Sequence, residues 1–320
     1  MTVDRDRRRS DVAWGWRVLD VVIALRRRLD VDRLEPYRPY LMLAPAVALV
    51  TLLAGGIVYL VYLSFHSFDT FLLRQGPWSL EQYRRLVEPP SGAFNLQTLQ
   101  RTLVISVLVT VGAVAAGLPV AYFIVRTRSR TMRIVTLVLL LVPFLMGEVV
   151  RAFGWALVLG SNGLVAWVLS WFGNDSGGIL GTPLAVWIGM MQVSIPLATL
   201  LILPALTRID PDLERAAATM GAPPRRVWRH VVAPLARPGI AGAAAVVFLL
   251  SVAEYDMPAI LGLGRLPFVA NVIRSIYTLQ NNLYLGSAFS LVLMAISTVF
   301  VVAAVAAGGI RRLRDGGGDG

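Results

Sequence analysis

The chain has 320 residues, 56% of them hydrophobic, with a mean hydropathy of +0.67, an apolar excess that excludes a soluble globular domain. Its net charge of +11 rests entirely on arginine, because all 30 basic residues are Arg. Without lysine there can be no phosphate-binding loop of the form G-x-x-x-x-G-K-[ST], and without cysteine no disulfide or thiol chemistry.

Residues 1–39 form a charged N-terminal segment. It is too long, and the apolar run after it too long, for a cleavable signal. Within it Trp14, Trp16, Val18, Leu19, Val22 and Leu25 are interspersed with Arg17 and Asp20, a pattern that predicts an amphipathic helix at the membrane interface. Residues 40–307 hold six apolar runs: Tyr40–Phe65, Thr102–Val125, Ile134–Val150, Pro183–Leu206, Gly239–Gly262 and Gly286–Ala307. About 20 apolar residues are needed to cross roughly 30 Å of hydrocarbon. Lipid offers the backbone no hydrogen-bond partners, so these spans must be helices. Gly55, Gly56, Pro119, Pro143 and Pro196 inside them suit membrane helices better than soluble ones. The third run carries Glu148 and Arg151 at its outer end, and residues 163–172 read as a short helix on the outer face. Residues 308–320 end in Asp-Gly-Gly-Gly-Asp-Gly and read as a flexible tail. The expected fold class is an all-α integral membrane protein, one six-helix domain with a helical cytoplasmic loop.

Arginine sets the expected orientation. Residues 1–39, 126–133, 207–238 and 308–320 hold 10, 4, 6 and 3 arginines, 23 in all, whereas the opposite segments hold 7. Basic loops stay in the cytoplasm, so both termini and the 207–238 loop are expected inside. The charge is a topology signal, and no nucleic-acid partner is expected.

That loop reads DPDLERAAATMGAPPRRVWRHVVAPLARPGI from Asp210 to Ile240. Asp210 and Pro211 form a helix start, a capping carboxylate followed by a proline whose missing N–H costs nothing in the first turn. Leu213 to Met220 favours helix, and Gly221 closes it, since glycine accepts positive φ cheaply. Pro223 and Pro224 prevent simple continuation. A second short helix is expected from Arg225 to Val232, with Pro234 and Pro238 marking the return to the membrane. A helix–turn–helix held between two spans is a part suited to being gripped by a soluble protein.

The loop resembles the cytoplasmic signature of bacterial ABC-importer permeases: E-A-A, three residues, G, nine residues, I-x-L-P. Alignment on Gly221 sets Arg215, Ala216 and Ala217 at E-A-A, Val231 at the isoleucine, Ala233 at the leucine and Pro234 at the proline. The departure is Arg215, where the family has glutamate; Glu214 stands one place early. The segment Val150-Arg151-Ala-Phe153-Gly-Trp155-Ala-Leu-Val-Leu-Gly160-Ser-Asn162-Gly163 resembles the stretch after the third span of spermidine/putrescine-type permeases. Ala253-Glu254-Tyr255-Asp256-Met257-Pro258-Ala259-Ile260-Leu261-Gly262 resembles their fifth-span segment, which ends P-A-x-L-G. The resemblance implies a permease subunit in the bacterial inner membrane. Its implied partners are an ATP-binding subunit dimer, a second permease subunit, identical or homologous, and an extracytoplasmic solute-binding protein, with lipid around it. ATP hydrolysis is then expected on the separate subunit, and no cofactor on this chain. Leu213, Glu214, Arg215, Ala216, Ala217, Gly221, Val227, Trp228 and Pro234 are the expected ATPase-docking residues.

Solute is expected where polar residues enter the spans, because charge there is costly and usually functional. Glu254 and Asp256 lie in the fifth run with Tyr255 between them, and Pro258 frees a backbone carbonyl nearby. Glu148, Arg151 and Trp155 complete the candidate pathway. Two acids and a loose carbonyl favour a small organic cation, and the resemblance suggests a polyamine; iron and thiamine are the alternatives within the wider group. Glu254 could instead pair with Arg151 or Arg274, and Glu148 with Arg151 along one helix. Trp155, Trp167, Trp171 and Trp187 also read as interfacial anchors. His66 and His230 are far apart, so no metal site is expected, and no Ser/His/Asp set or carboxylate pair suggests an enzyme. A self-contained secondary transporter would need internal repeats or ion-coupling residues, and six spans with a docking loop argue against it.

Overall fold

A computed structural model describes residues 38–69, 74–173 and 178–309. The expected interfacial helix around Trp14–Leu25 and the tail after Gly309 lie outside the described residues. The chain divides into two units at Tyr59/Leu60, within helix α1 (Arg38–Ser64). From Leu43 to Tyr59 this helix is exposed and apolar all round, as a helix solvated by lipid requires.

The second unit opens with a short antiparallel ribbon, β1 (His66–Asp69) and β2 (Arg74–Trp78), and helix α2 (Glu81–Val87). The longest helix is α3 (Gly92–Arg126). Next come α4 (Arg130–Leu145), α5 (Glu148–Leu159) and α6 (Leu164–Ser170). Helix α7 (Pro183–Thr207) leads into the loop helices α8 (Pro211–Thr219) and α9 (Pro224–Val227). The chain continues through α10 (Ala233–Ala253), α11 (Asp256–Leu261), α12 (Val269–Thr278) and α13 (Leu283–Gly309).

The centre of this unit is α3 packed on α7 and α10. Ile105, Val109 and Ala113 of α3 meet Val186, Met190 and Ala198 of α7, with Val247 of α10 beside them. Small residues let the backbones approach, the usual device where lipid gives no hydrophobic drive between helices. At Gly117 a Cβ would lie 3.0 Å from the Thr199 N and Oγ1, and the Thr199 hydroxyl donates to the Gly117 carbonyl at 3.3 Å.

Among the described residues six helical stretches are long and apolar enough to cross a membrane: Leu43–Ser64, Gly92–Arg126, Glu148–Ser170, Pro183–Thr207, Pro224–Ala253 and Leu283–Ala306. The third differs from expectation. The predicted continuous span Ile134–Val150 is broken at Met146–Gly147, where both residues are extended. Helix α4, with 16 residues, reaches only about 24 Å, and the qualifying stretch lies beyond the break in α5 and α6. Pro143 weakens the end of α4, and Glu148 restarts the helix as an acid in its first turn, where the helix dipole favours it.

The fifth span also differs. Gly239–Gly262 was expected as one helix, but α10 ends at Ala253 and Glu254 is extended at φ −61°, ψ 130°. Pro258 gives the reason: in a continuous helix its ring would strike the Glu254 carbonyl four residues back, and it has no N–H to donate there. At its N-terminal end the same span is longer than expected. Pro234 and Pro238 do not interrupt it; α9 runs through a wide turn, Trp228–Val232, straight into α10. The Ala233 N–H reaches the Trp228 carbonyl five residues back. A π-type turn of this kind re-spaces the hydrogen-bond ladder just ahead of a proline that cannot donate.

Candidate functional site

The two breaks meet. A cavity of about 270 Å³ is lined by Glu148 and Arg151 of α5, Ser194 of α7, Ser251 of α10, Glu254 and Tyr255 of the fifth-span break, and Asp256 of α11. Glu148 and Glu254, 106 positions apart in sequence, thus line one cavity, with three carboxylates against one guanidinium. Helix breaks at membrane depth are tolerated where they line a cavity. Neither expected arginine pairs with Glu254: among the described residues no ion pair involves it. It accepts instead from the Met257 N–H at 3.3 Å, closing the first turn of α11. Arg274 lies over the Tyr255 ring, 4.5 Å from its centre. Arg151 is buried, 3.6 Å from the half-exposed Glu148, and also donates to the Pro143 carbonyl at 3.4 Å. Its Nε and the Ser251 hydroxyl have no hydrogen-bond partner among the described residues, so the lining keeps polar capacity to spare.

Trp155 is not on that wall. Its indole donates to Gln192 Oε1 at 2.5 Å and packs against the α3–α7 core, so it braces α5 on α7. Trp167 of α6 and Trp171 just past its end pair edge to face, and both are exposed, as interfacial anchors would be.

The loop has the shape expected at its start and its turn. Asp210 accepts from the Asp212 N–H at 2.9 Å and caps α8. Gly221 has φ +81°. The Ala222 N–H bonds the Ala217 carbonyl at 3.2 Å and the Gly221 N–H the Ala218 carbonyl at 2.9 Å, a Schellman closure. Leu213, Arg215, Ala216 and Trp228 are exposed, Ala217 and Pro234 half-buried, and Val227 buried at 8% exposure. Val227 therefore holds the turn from within.

Glu214 faces inward. One oxygen accepts from Arg126 Nε at 2.9 Å and Nη2 at 2.5 Å, the other from the Tyr122 hydroxyl at 2.6 Å. Arg126 also donates to the Ile209 carbonyl at 3.1 Å. The loop helix is so clamped to the end of α3. Arg215 is exposed and, among the described residues, pairs only with Asp212, at 2.6 Å. Sequence reasoning missed Tyr122, Arg126, Gln192 and Met220. The first two were signalled by a lone Tyr-x-x-x-Arg at the C-terminal end of a span, spaced one helical turn apart.

A family model described as binding-protein-dependent transport system inner membrane component matches residues 109–315. The inner membrane ABC transporter permease protein YdcU of Escherichia coli is 28% identical over 278 residues, 82% of this chain and 87% of the relative. The spermidine/putrescine transport system permease protein PotB of Haemophilus influenzae is 29% identical over 238 residues, 71% of this chain and 82% of the relative. Among solved structures, a chain of a bacterial alginate ABC transporter, in complex with an alginate pentasaccharide-bound periplasmic protein, superposes with a TM-score of 0.69. It is 18% identical, over 87% of this chain and 96% of that one. A chain of the inward-facing MetNI methionine ABC transporter gives 0.55 at 16% identity, over 69% and 97%. The structural likenesses speak to fold alone, but the family model covers well over half of the chain, which belongs to the binding-protein-dependent inner membrane components: it is a permease subunit of an ABC importer.

Proposed function

We propose that this permease passes a small organic cation, a polyamine first, through a pathway that includes the cavity between the α4–α5 and α10–α11 breaks. The observation that carries the reading is the convergence of Glu148, Glu254 and Asp256 on one small cavity beside a single Arg151. Its volume of about 270 Å³ lies just below the usual range of about 300–1,000 Å³ for ligand sites, as suits a small solute. The PotB relatives, named for spermidine and putrescine, support the same class. The alginate transporter, which imports an acidic polysaccharide, shares the fold at lower identity, so the solute's charge is argued from the lining and not from the fold.

In this reading the 210–234 loop docks an ATP-binding subunit, a binding protein delivers solute from outside, and a second permease subunit completes the pathway. The termini lie in the cytoplasm, as the arginine bias predicts. Nucleotide biases one of two states of the spans. The test is uptake of labelled spermidine by the assembled complex in proteoliposomes. Glu254→Gln keeps shape and removes charge. Uptake should fall about tenfold or more, the order of losing one buried charged contact, with binding-protein affinity and assembly intact. Undiminished spermidine uptake in that variant would reject the cavity as the cation's path. Transport of ferric ion or thiamine by the native complex in its place would reject the polyamine.

A further inference from the structure

We infer that the outward face of the 208–229 segment is a cationic docking surface, shaped for an acidic groove with an apolar seat on the ATPase subunit. This rests on reading the loop as the ATPase dock. Three acids stand in and before α8, and each is engaged within the chain. Asp210 caps the helix. Glu214, at 15% side-chain exposure, is turned onto Arg126 and Tyr122. Asp212 pairs with Arg215.

The cations are not withdrawn in this way. Arg208, Arg215, Arg225, Arg226 and Arg229 are all exposed. Among the described residues only Arg215 of these has a carboxylate within ion-pair distance. That pair has side chains 70% and 74% exposed, and surface pairs of this kind hold weakly, so Arg215 is available to a better-desolvated acceptor. Between the cations lie exposed apolar groups: Met220 at 82%, Leu213 at 49% and Trp228 at 37%. Met, Trp and Arg around an apolar centre are the composition of an interface, and Met adapts to irregular pockets.

The occupant is a protein groove in preference to an anionic lipid surface. Met220 sits on a turn held in one shape by the Gly221 closure, and α8 is clamped to α3 through Glu214. A defined shape is what a groove reads and a headgroup layer does not.

The test uses the full chain with its permease partner in nanodiscs of phosphatidylcholine. The probe is the ATPase subunit that co-purifies with it from native membranes, and affinity is measured at 50 and 300 mM NaCl. Native affinity should fall with salt, as exposed charge attraction is screened. Arg215→Glu should weaken binding about tenfold or more at low salt and flatten the salt dependence. Met220→Asp should weaken binding at both salt concentrations. If Met220→Asp weakens binding while Arg215→Glu leaves affinity and salt dependence unchanged, the loop docks but the charge complementarity is wrong. If neither variant weakens binding, the docking reading itself fails. In a parallel arm, nanodiscs of 1:3 phosphatidylglycerol to phosphatidylcholine replace the neutral ones. Protection of the loop amides that appears there without ATPase and is lost in Arg215→Glu, with ATPase affinity unmoved, would assign the cations to lipid and overturn the proposal.

Discussion

Replacing Glu214 by Gln tests whether α8 is held to the membrane domain by one buried ionic contact. The glutamine keeps the volume and can still accept from Tyr122, so only the charge is lost. In the native chain Glu214 and Arg126 have side chains 15% and 19% exposed, so their attraction is screened much less than at a surface. Removing one partner of a fully buried pair costs about 3–5 kcal/mol, because the other charge is left uncompensated. Here Arg126 keeps its bond to the Ile209 carbonyl and some contact with water, so about 2–3 kcal/mol is expected. That cost falls mainly on the local opening of α8, since the α3–α7–α10 cluster around Val109 and Ala198 shares no residue with the contact, and Tyr122 and Ile209, which pack in the adjacent cluster around Leu118 and Ala236, are unchanged in the variant. A tenfold change in equilibrium corresponds to about 1.4 kcal/mol. Amide exchange in Leu213–Met220 should therefore quicken roughly 30- to 140-fold, while amides around Val109 and Ala198 keep their native rates. Exchange in α8 that is unchanged in Glu214→Gln would refute the clamp.

Other contacts carry three further expected outcomes. Gly221→Val puts a β-branched side chain at φ +81°, a conformation costing about 1–2 kcal/mol outside glycine. It should leave the chain in the membrane but reduce co-purified ATPase and uptake, and a fully assembled, fully active variant would remove the turn from coupling. Gly117→Leu forces side-chain volume into the α3–α7 contact, where a Cβ alone already meets Thr199 at 3.0 Å; a loss of about 1–3 kcal/mol should lower the unfolding temperature in detergent, and unchanged stability would show that the helices do not need that approach. Reporter fusions after Pro77 should read outside the cytoplasm and at Ala222 inside; an outside signal at Ala222 would reverse the orientation and with it the docking assignment.

The parts of the fold that depend on composition and on local backbone chemistry are legible in the sequence. The span count comes from apolar length, and the α8 turn from Asp210, Pro211 and Gly221, whose roles are set within a few residues of each. The breaks are not legible in this way. From sequence Pro258 loosens one carbonyl, whereas in the fold its steric demand on Glu254 ends α10 and sets α11 off in a new direction. At Pro234 and Pro238 the error has the opposite sign: a π-type turn absorbs the missing donors, and no propensity scale announces such a turn. For the candidate site, Glu148, Arg151, Glu254 and Asp256 stand out one by one, because each is a charge in apolar surroundings. That they line one cavity cannot be read from positions more than 100 residues apart. Trp155 matches a motif and yet faces Gln192. Glu214 differs again: motif alignment sets it one place out of register, and only the packing of α8 on α3 shows what it holds.

The unbroken run from Pro224 to Ala253 has a mechanical meaning. Thirty helical residues measure about 45 Å, so the second loop helix and the fifth span form one rod. Its near end carries exposed Trp228 close after the Gly221 turn, and its far end meets Glu254 at the cavity between the two helix breaks. Such a rod acts as a lever: a tilt of about 5° applied at the loop sweeps the far tip by roughly 4 Å over that length, more than the width of a hydrogen bond. On the proposed docking, displacement at the loop end would reach the Glu254 carboxylate without a relay of intervening side chains.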